Sequence, residues 1–148
     1  MREFRKANAA DAGAIEILYK NLVPNAPINI LPERINEITE DKNTYLIVCD
    51  DNSKIIATAL VALCNDVMFN RQPFAIVENV IVSKEHQGKG IGKGLMDHIE
   101  KFCLASDCSK IMLLSSSDNR SAHDFYTAMG YDSNAKLGFI KKRKNFNT

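Results

Sequence analysis

The sequence predicts an α/β protein, a mixed α/β sandwich layered around one sheet, with elements in the order β-α-α-β-β-β-α-β-α-β. Three observations carry that prediction. β-Branched runs such as "TYLIVCD", "KIIATALVAL" and "FAIVENVIVS" alternate with segments whose apolar residues recur every three or four positions. Turn-forming residues punctuate each change of period. The 148 residues contain no repeat, low-complexity stretch or linker, so residues 1–148 are expected to form a single domain.

The elements follow in order. Residues 2–7 read as a short strand. Asn8 or Asp11 can cap a first helix whose Ile15, Leu18, Tyr19 and Leu22 share one face. Pro24, Pro27 and Pro32 break the next stretch, and Pro32 suits the first turn of a short second helix carrying Ile35 and Ile38. "DNS" between two β-branched runs signals a hairpin. "FAIVENVIVS" (74–83) is the next strand, and a glycine segment feeds a helix to about Ala105. "KIMLLS" is a further strand, "NRSAHDFYTAM" a helix ended by Gly130, and "YDSNAKLGFIKK" closes with one or two strands.

Composition narrows the functional classes. A formal charge of +1 gives no field that would draw the whole molecule to nucleic acid or membrane, and neither is expected as a partner. The basic run Lys141, Lys142, Arg143, Lys144 reads as a solvated end. No apolar run approaches the roughly 20 residues that span a bilayer, and "MREFRKANAADAG" lacks a signal peptide's apolar core. Cys49, Cys64, Cys103 and Cys108 have no metal-ligand spacing, so no metal is expected. They read as reduced thiols of a cytoplasmic protein.

The segment "HQGKGIGKGLM" carries Gly88, Gly90, Gly92 and Gly94 with Lys89 and Lys93, directly after a strand and before a helix. That arrangement binds phosphate, because a helix's first turn has unpaired N–H groups and the positive end of the dipole. A P-loop is excluded, since Lys93 is followed by Gly94 rather than Ser or Thr. A dinucleotide fingerprint is excluded by the position of its third glycine. The spacing that fits is Q-x-x-G-x-G at Gln87, Gly90 and Gly92.

This segment resembles the acetyl-coenzyme A pyrophosphate loop of the GCN5-related N-acetyltransferase (GNAT) superfamily. A second motif, Asn119, Ala122, Phe125 and Tyr126 followed by "MGY", is similar to the family's N-x-x-A-x-x-F-Y-x-x-x-G-[FY] helix. "VENVIV" followed by "GKGIGKGLM" looks like the glucosamine-phosphate N-acetyltransferase-like branch. The resemblance implies the GNAT fold, a central, mostly antiparallel sheet flanked by helices, and acetyl-CoA as cosubstrate. It implies that Val80, Ile81 and Val82 run beside the pantetheine arm, like an added strand. It further implies that amides of Gln87, Gly88, Lys89, Gly90, Ile91, Gly92 and Lys93 hold the pyrophosphate. Asn119 would bond the pantetheine, Ala122 would leave room for it, and Tyr126 would sit near the coenzyme sulfur. A homodimer is compatible with the resemblance.

Acetyl transfer to an amine needs a base, an oxyanion donor and an acid. The amine arrives protonated, with a pKa of about 10.4 by analogy with lysine, and the leaving thiol has one of about 8.5 by analogy with cysteine. Tyr126 matches the family position for the acid, although a core aromatic also fits it. Glu78, inside the apolar strand "AIVENVIV", is the expected base; a solvated surface glutamate or a buried salt bridge fits it equally. The oxyanion donor is expected to be a backbone N–H near Val80. His86, His98 and His123 read as surface histidines, and no cysteine is placed to act as a nucleophile.

The expected function is acetyl transfer from acetyl-CoA to a primary amine of a small molecule by direct attack in a ternary complex. Alternatives are acetylation of a protein N-terminus or lysine, and a non-catalytic acetyl-CoA sensor. The acceptor region "NLVPNAPINILPERI" offers apolar groups with Asn21, Asn25 and Asn29, while Arg34 and Arg71 could meet an anionic substituent.

Overall fold

Asn52 and Ser53 both adopt left-handed backbone, φ 53° and 70°, as a two-residue hairpin requires. They fold strand β2 (Thr44–Asp51) onto β3 (Lys54–Cys64), and the Asp50 carboxylate accepts the Ser53 N–H at 2.8 Å. The expected hairpin is therefore built by its two turn residues. The sheet grows from this pair in the order β1-β2-β3-β4-β5, with β1 at Arg2–Lys6, β4 at Phe74–Val82 and β5 at Ile111–Leu113. The first four strands are antiparallel, and β5 joins β4 in parallel.

The computed structural model describes residues 1–147, which form two compact units, Met1–Leu113 and a second beginning at Leu114. In the first unit, strand alternation sorts the helices. Leu46 and Val48 of β2 join Ala12 and Ile15 of α1 (Ala12–Leu22) and Ile35 of α2 (Pro32–Glu40) in one buried cluster. Tyr45 instead meets His98 and Phe102 of α3 (Ile91–Ala105). Successive strand residues point to opposite faces, so α1 and α2 cover one side of the sheet and α3 the other.

The entry to α1 rests on one acidic residue. Asn8 caps the short 3-10 turn Ala9–Asp11, and Asp11 accepts the Asn8 N–H in return at 2.8 Å. Burial pushes the Asp11 carboxyl up, but the Arg5 guanidinium, at 2.9 and 3.0 Å, and the Asn8 N–H hold it below the usual range. Arg5 also reaches Asp50 at 3.0 Å, which ties β1, β2 and the start of α1 together. Pro32 opens α2 as expected.

In the second unit, α4 (Arg120–Ala128) is capped by Asn119, whose Oδ1 accepts the Ala122 N–H at 3.2 Å. Gly130, at φ 94°, closes it: its N–H bonds the Thr127 carbonyl and the Tyr131 N–H bonds that of Tyr126, each at 3.0 Å.

Two expectations need correction. The strands expected over residues 131–142 do not form; among the described residues the sheet has five strands. An Asx turn at Asp132–Asn134 starts the segment, and its strand-like Leu137, Phe139 and Ile140 are exposed by 81, 90 and 72 %. Alternation alone makes no strand without a neighbour to complete its hydrogen bonds. Secondly, His98 does not lie on a wet face. It is half-buried, hydrogen-bonded to the Tyr45 hydroxyl at 2.9 Å and stacked on Phe4 with centroids 5.7 Å apart.

Burial, with a smaller contribution from Lys101, holds the His98 imidazole below its ordinary value. The unfolded chain therefore takes up this proton more readily. The stabilising contribution is complete above about pH 6.5 and is lost as pH falls towards the folded value. Thermal melts should show wild-type Tm declining more steeply between about pH 7 and 5 than that of His98→Gln. Parallel slopes would dismiss His98 as the titrating group.

Candidate active site

Strand β4 has two neighbours for only part of its length. It pairs with β3 from Phe74 to Val82, but with β5 only at Ala75, Ile76 and Val77. From Glu78 to Val82 one backbone edge has no strand beside it among the described residues. At that point the strand also bulges: Leu60 faces Glu78 and Thr58 faces Ile81, so Asn79 and Val80 together oppose Ala59. Asn79 takes the left-handed conformation, φ 56°, that admits the extra residue.

Glu78 lies opposite Leu60, a residue packed against the α1–α2 cluster, so its side chain belongs to that face of the sheet. Glu78 is exposed and makes no ion pair among the described residues, which removes the buried salt bridge as an explanation. A carboxylate free of partners, on the side covered by the first two helices, can accept a proton directly or through water.

The end of β4 runs straight into the glycine segment. Gln87 turns back and donates its Nε2 to the Val82 carbonyl at 3.1 Å, closing the strand's last acceptor. Ser83 Oγ and His86 Nδ1 lie 2.6 Å apart, which stiffens the turn between them. Gly90, at φ 78°, is the N-cap of α3 and provides no side-chain acceptor. The first-turn N–H groups of α3 therefore keep their capacity for an outside anion. Lys93 is already matched by Asp97 at 2.7 Å, whereas Lys89 is exposed. Gly94 serves packing instead: a Cβ there would stand 2.9 Å from the Phe4 ring.

The remaining expected residues lie in the second unit. Asn119 Oδ1 is engaged as the α4 cap, with Ser121 Oγ also at 3.2 Å, and Ala122 follows one turn on. Tyr126 is half-buried between Phe125 and Tyr131, edge-on to both with centroids 5.2 and 5.8 Å away. Burial raises its phenol pKa, so it carries its proton at neutral pH. Arg34 pairs with Glu37 at 2.7 Å, and Arg71 lines a hollow of about 500 Å³ with Ser106 and Asp107.

The cysteines are not set up as nucleophiles. All four cysteines are free thiols. Burial raises Cys49 and Cys108 and pushes Cys103 up to about 12, far from a reactive thiolate. Among the described residues no group of three His, Cys, Asp or Glu could hold a metal ion. Tyr19, part of an apolar helix face in the sequence, packs against the α1–α2 cluster as that face implies.

At this site an open strand edge leads into a left-handed glycine turn and a helix start without a side-chain cap. Residues 15–131 match the acetyltransferase (GNAT) family, and the chain belongs to it. It is an acetyl-CoA-dependent N-acetyltransferase. A putative acetyltransferase from Agrobacterium tumefaciens str. C58 superposes with a TM-score of 0.86 at 26% identity, covering 95% of this chain and 99% of that one. Glucosamine-6-phosphate N-acetyltransferase from Arabidopsis thaliana superposes at 0.78 with 25% identity, covering 97% and 99%. Among curated proteins, the aminoglycoside N(6')-acetyltransferase type 1 of Stenotrophomonas maltophilia is 22% identical over 139 residues, 93% of this chain and 90% of that protein.

Gly90→Glu sets a side chain on left-handed backbone and a negative charge at the helix start. Loss of two charge-assisted hydrogen bonds, at ~1.5–3 kcal/mol each, should weaken acetyl-CoA binding roughly 10²–10⁴-fold in calorimetric titration. Unchanged affinity would place the pyrophosphate elsewhere.

Proposed function

We propose that this enzyme acetylates a primary amine of a small molecule by direct attack within a ternary complex. The observation that carries the reading is the open Glu78–Val82 edge of β4, continuous with the turn at Gln87–Lys93. An extended ligand arm runs beside Val80, Ile81 and Val82 as an added strand would, using the edge groups that Gln87 leaves open. Amides of Gln87, Gly88, Lys89, Gly90, Ile91, Gly92 and Lys93 take the pyrophosphate. Asn119 and Ala122 contribute from α4, and residues 1–148 act as one acetyltransferase domain, since the family match runs through both units.

Glu78 is the base, drawing the amine's proton through water, which its exposure permits. Tyr126 is the acid at the departing thiolate; its protonated phenol supports that role. Direct attack follows from the absence of an activated thiol, because burial holds Cys49, Cys103 and Cys108 in the protonated form. A small-molecule acceptor is favoured by the names of two relatives, which specify an aminoglycoside and glucosamine 6-phosphate. Four free thiols fit a reducing, cytoplasmic setting.

Thiol release from acetyl-CoA should be measured over a panel holding glucosamine 6-phosphate, a 6′-amino aminoglycoside, a polyamine and a peptide with a free N-terminus. Turnover of an amino sugar or polyamine is expected; turnover of the peptide alone would transfer the reading to protein acetylation. Silence across the panel, with acetyl-CoA bound, would favour a sensor.

The catalytic pair separates by pH. Tyr126→Phe keeps the ring and should lower kcat by about 10²–10⁴-fold with coenzyme affinity retained. Glu78→Gln should lower kcat/KM most at low pH, and the deficit should shrink as the amine arrives increasingly neutral. Wild-type rates in Glu78→Gln across the range would make Glu78 a surface residue, and a fully active Tyr126→Phe would reduce the phenol to packing.

A further inference from the structure

We propose that Cys103 and Cys108 form an oxidisable pair at the C-terminal end of α3, which closes to a disulfide when it meets a low-molecular-weight disulfide. The geometry comes from how the helix stops. Asp107 takes left-handed backbone, φ 60°, and donates its N–H to the Leu104 carbonyl at 3.1 Å. The Cys108 N–H reaches back to the Cys103 carbonyl at 2.9 Å. Those two bonds make a Schellman motif, which frequently carries a side-chain contact between the two residues joined by the longer bond. An apolar pair ordinarily makes that contact; here both residues are cysteine.

The backbone bond also sets a limit on distance. With ordinary peptide dimensions, 2.9 Å from N to O holds the two Cα atoms no more than about 6.8 Å apart. Disulfides form across Cα separations of about 4.4–6.8 Å, so the chain already lies within reach of one. Cys103 is 2 % exposed and Cys108 is half-buried, so a reagent meets Cys108 first. Burial raises both thiols, Cys103 to about 12, which keeps the first attack slow and leaves the pair reduced in a reducing setting.

The exchange balances as follows. The Cys108 thiolate attacks one sulfur of RSSR, forming a mixed disulfide at Cys108 and releasing RS⁻. Cys103 then attacks the Cys108 Sγ, its proton goes to solvent, and a second RS⁻ departs. The protein gives up two electrons and two protons, and RSSR leaves as two RSH. Just past Cys108 the chain is held to the start of β4: Ser109 donates to the Pro73 carbonyl at 2.9 Å, and Ala75 to that of Lys110 at 3.0 Å. Closure therefore clips the last turn of α3 covalently to a segment fixed on the sheet. None of this depends on the catalytic assignments above.

The test exposes the full chain to glutathione disulfide at about pH 8.5, the ordinary cysteine pKa. Intact mass and unreduced peptide maps are the readouts. Wild-type protein should lose two hydrogens, and cleavage at Asp107 should leave two peptides that stay joined until reduced. Cys103→Ser should stop at a glutathione adduct on Cys108, and Cys108→Ser should leave Cys103 unmodified. A lasting glutathione adduct on Cys108 of the wild type would overturn the proposal, since Cys103 would then be out of reach. A bridge from Cys108 to Cys64, or four thiols still free at the end, would overturn it as well. The wild-type measurement decides the matter even where a variant fails to fold.

Discussion

Everything at the site follows from one asymmetry in β4, which β3 holds to its end at Val82 and β5 abandons at Val77. A strand edge presents backbone donors and acceptors that need a partner, and water or another chain ordinarily supplies it. Here the edge is short, begins at a bulge and ends at a turn that offers further N–H groups. Gln87 closes the Val82 carbonyl from its own side chain, so the free groups are confined to a defined stretch. An arm that hydrogen-bonds like a peptide fits the edge, and a phosphate fits the turn beyond it. In the proposed placement the amide-bearing arm of acetyl-CoA takes the edge and its pyrophosphate the turn.

Such a site works only if α3 is fixed against the sheet, because the amides at its start must hold still. Two contacts on the α3 face provide this. Phe4 of β1 lies where a Cβ on Gly94 would be, bringing the helix axis close to the strands. One turn further on, His98 bonds Tyr45 and stacks on Phe4, while Phe102 packs on Tyr45 with centroids 4.6 Å apart. The glycines therefore divide their tasks. Gly90 permits the left-handed cap, and Gly94 permits the approach that anchors it.

Most of the fold could be read from residues with a local mechanism. Asn52-Ser53 make a hairpin by their own φ preferences, Pro32 starts a helix and Gly130 ends one. The glycine turn was legible for the same reason, since few residues tolerate its backbone. What stayed hidden depends on neighbours distant in sequence. Asn79 is an ordinary strand residue until the β3 register obliges it to bulge. His98 looked wet because Asp97 and Glu100 flank it, yet Tyr45, 53 positions away, takes its imidazole. The tail around Leu137–Ile140 reads as a strand by alternation, but among the described residues no sheet neighbour completes its bonds. Local signals thus find turns and caps, whereas bulges, edges and side-chain partners are properties of the assembled sheet.

The ionisation of the two proposed catalytic groups constrains how the protons move. A phenol whose burial raises its pKa above about 10 cannot fully transfer its proton to a thiolate of about 8.5 at equilibrium. In the proposed mechanism the Tyr126 acid therefore hydrogen-bonds the sulfur while the carbon–sulfur bond breaks, and any proton it gives is replaced from the amine. The deficit must be met elsewhere, and the amine supplies it. On attack its nitrogen becomes strongly acidic, so its second proton is free to reach solvent or the thiolate. The first proton is the costly one, because the amine arrives as an ammonium ion. In the proposed mechanism Glu78, which is exposed, takes that step through water. In the proposed mechanism the base is an exposed side chain and the acid sits among rings, where burial favours the protonated phenol.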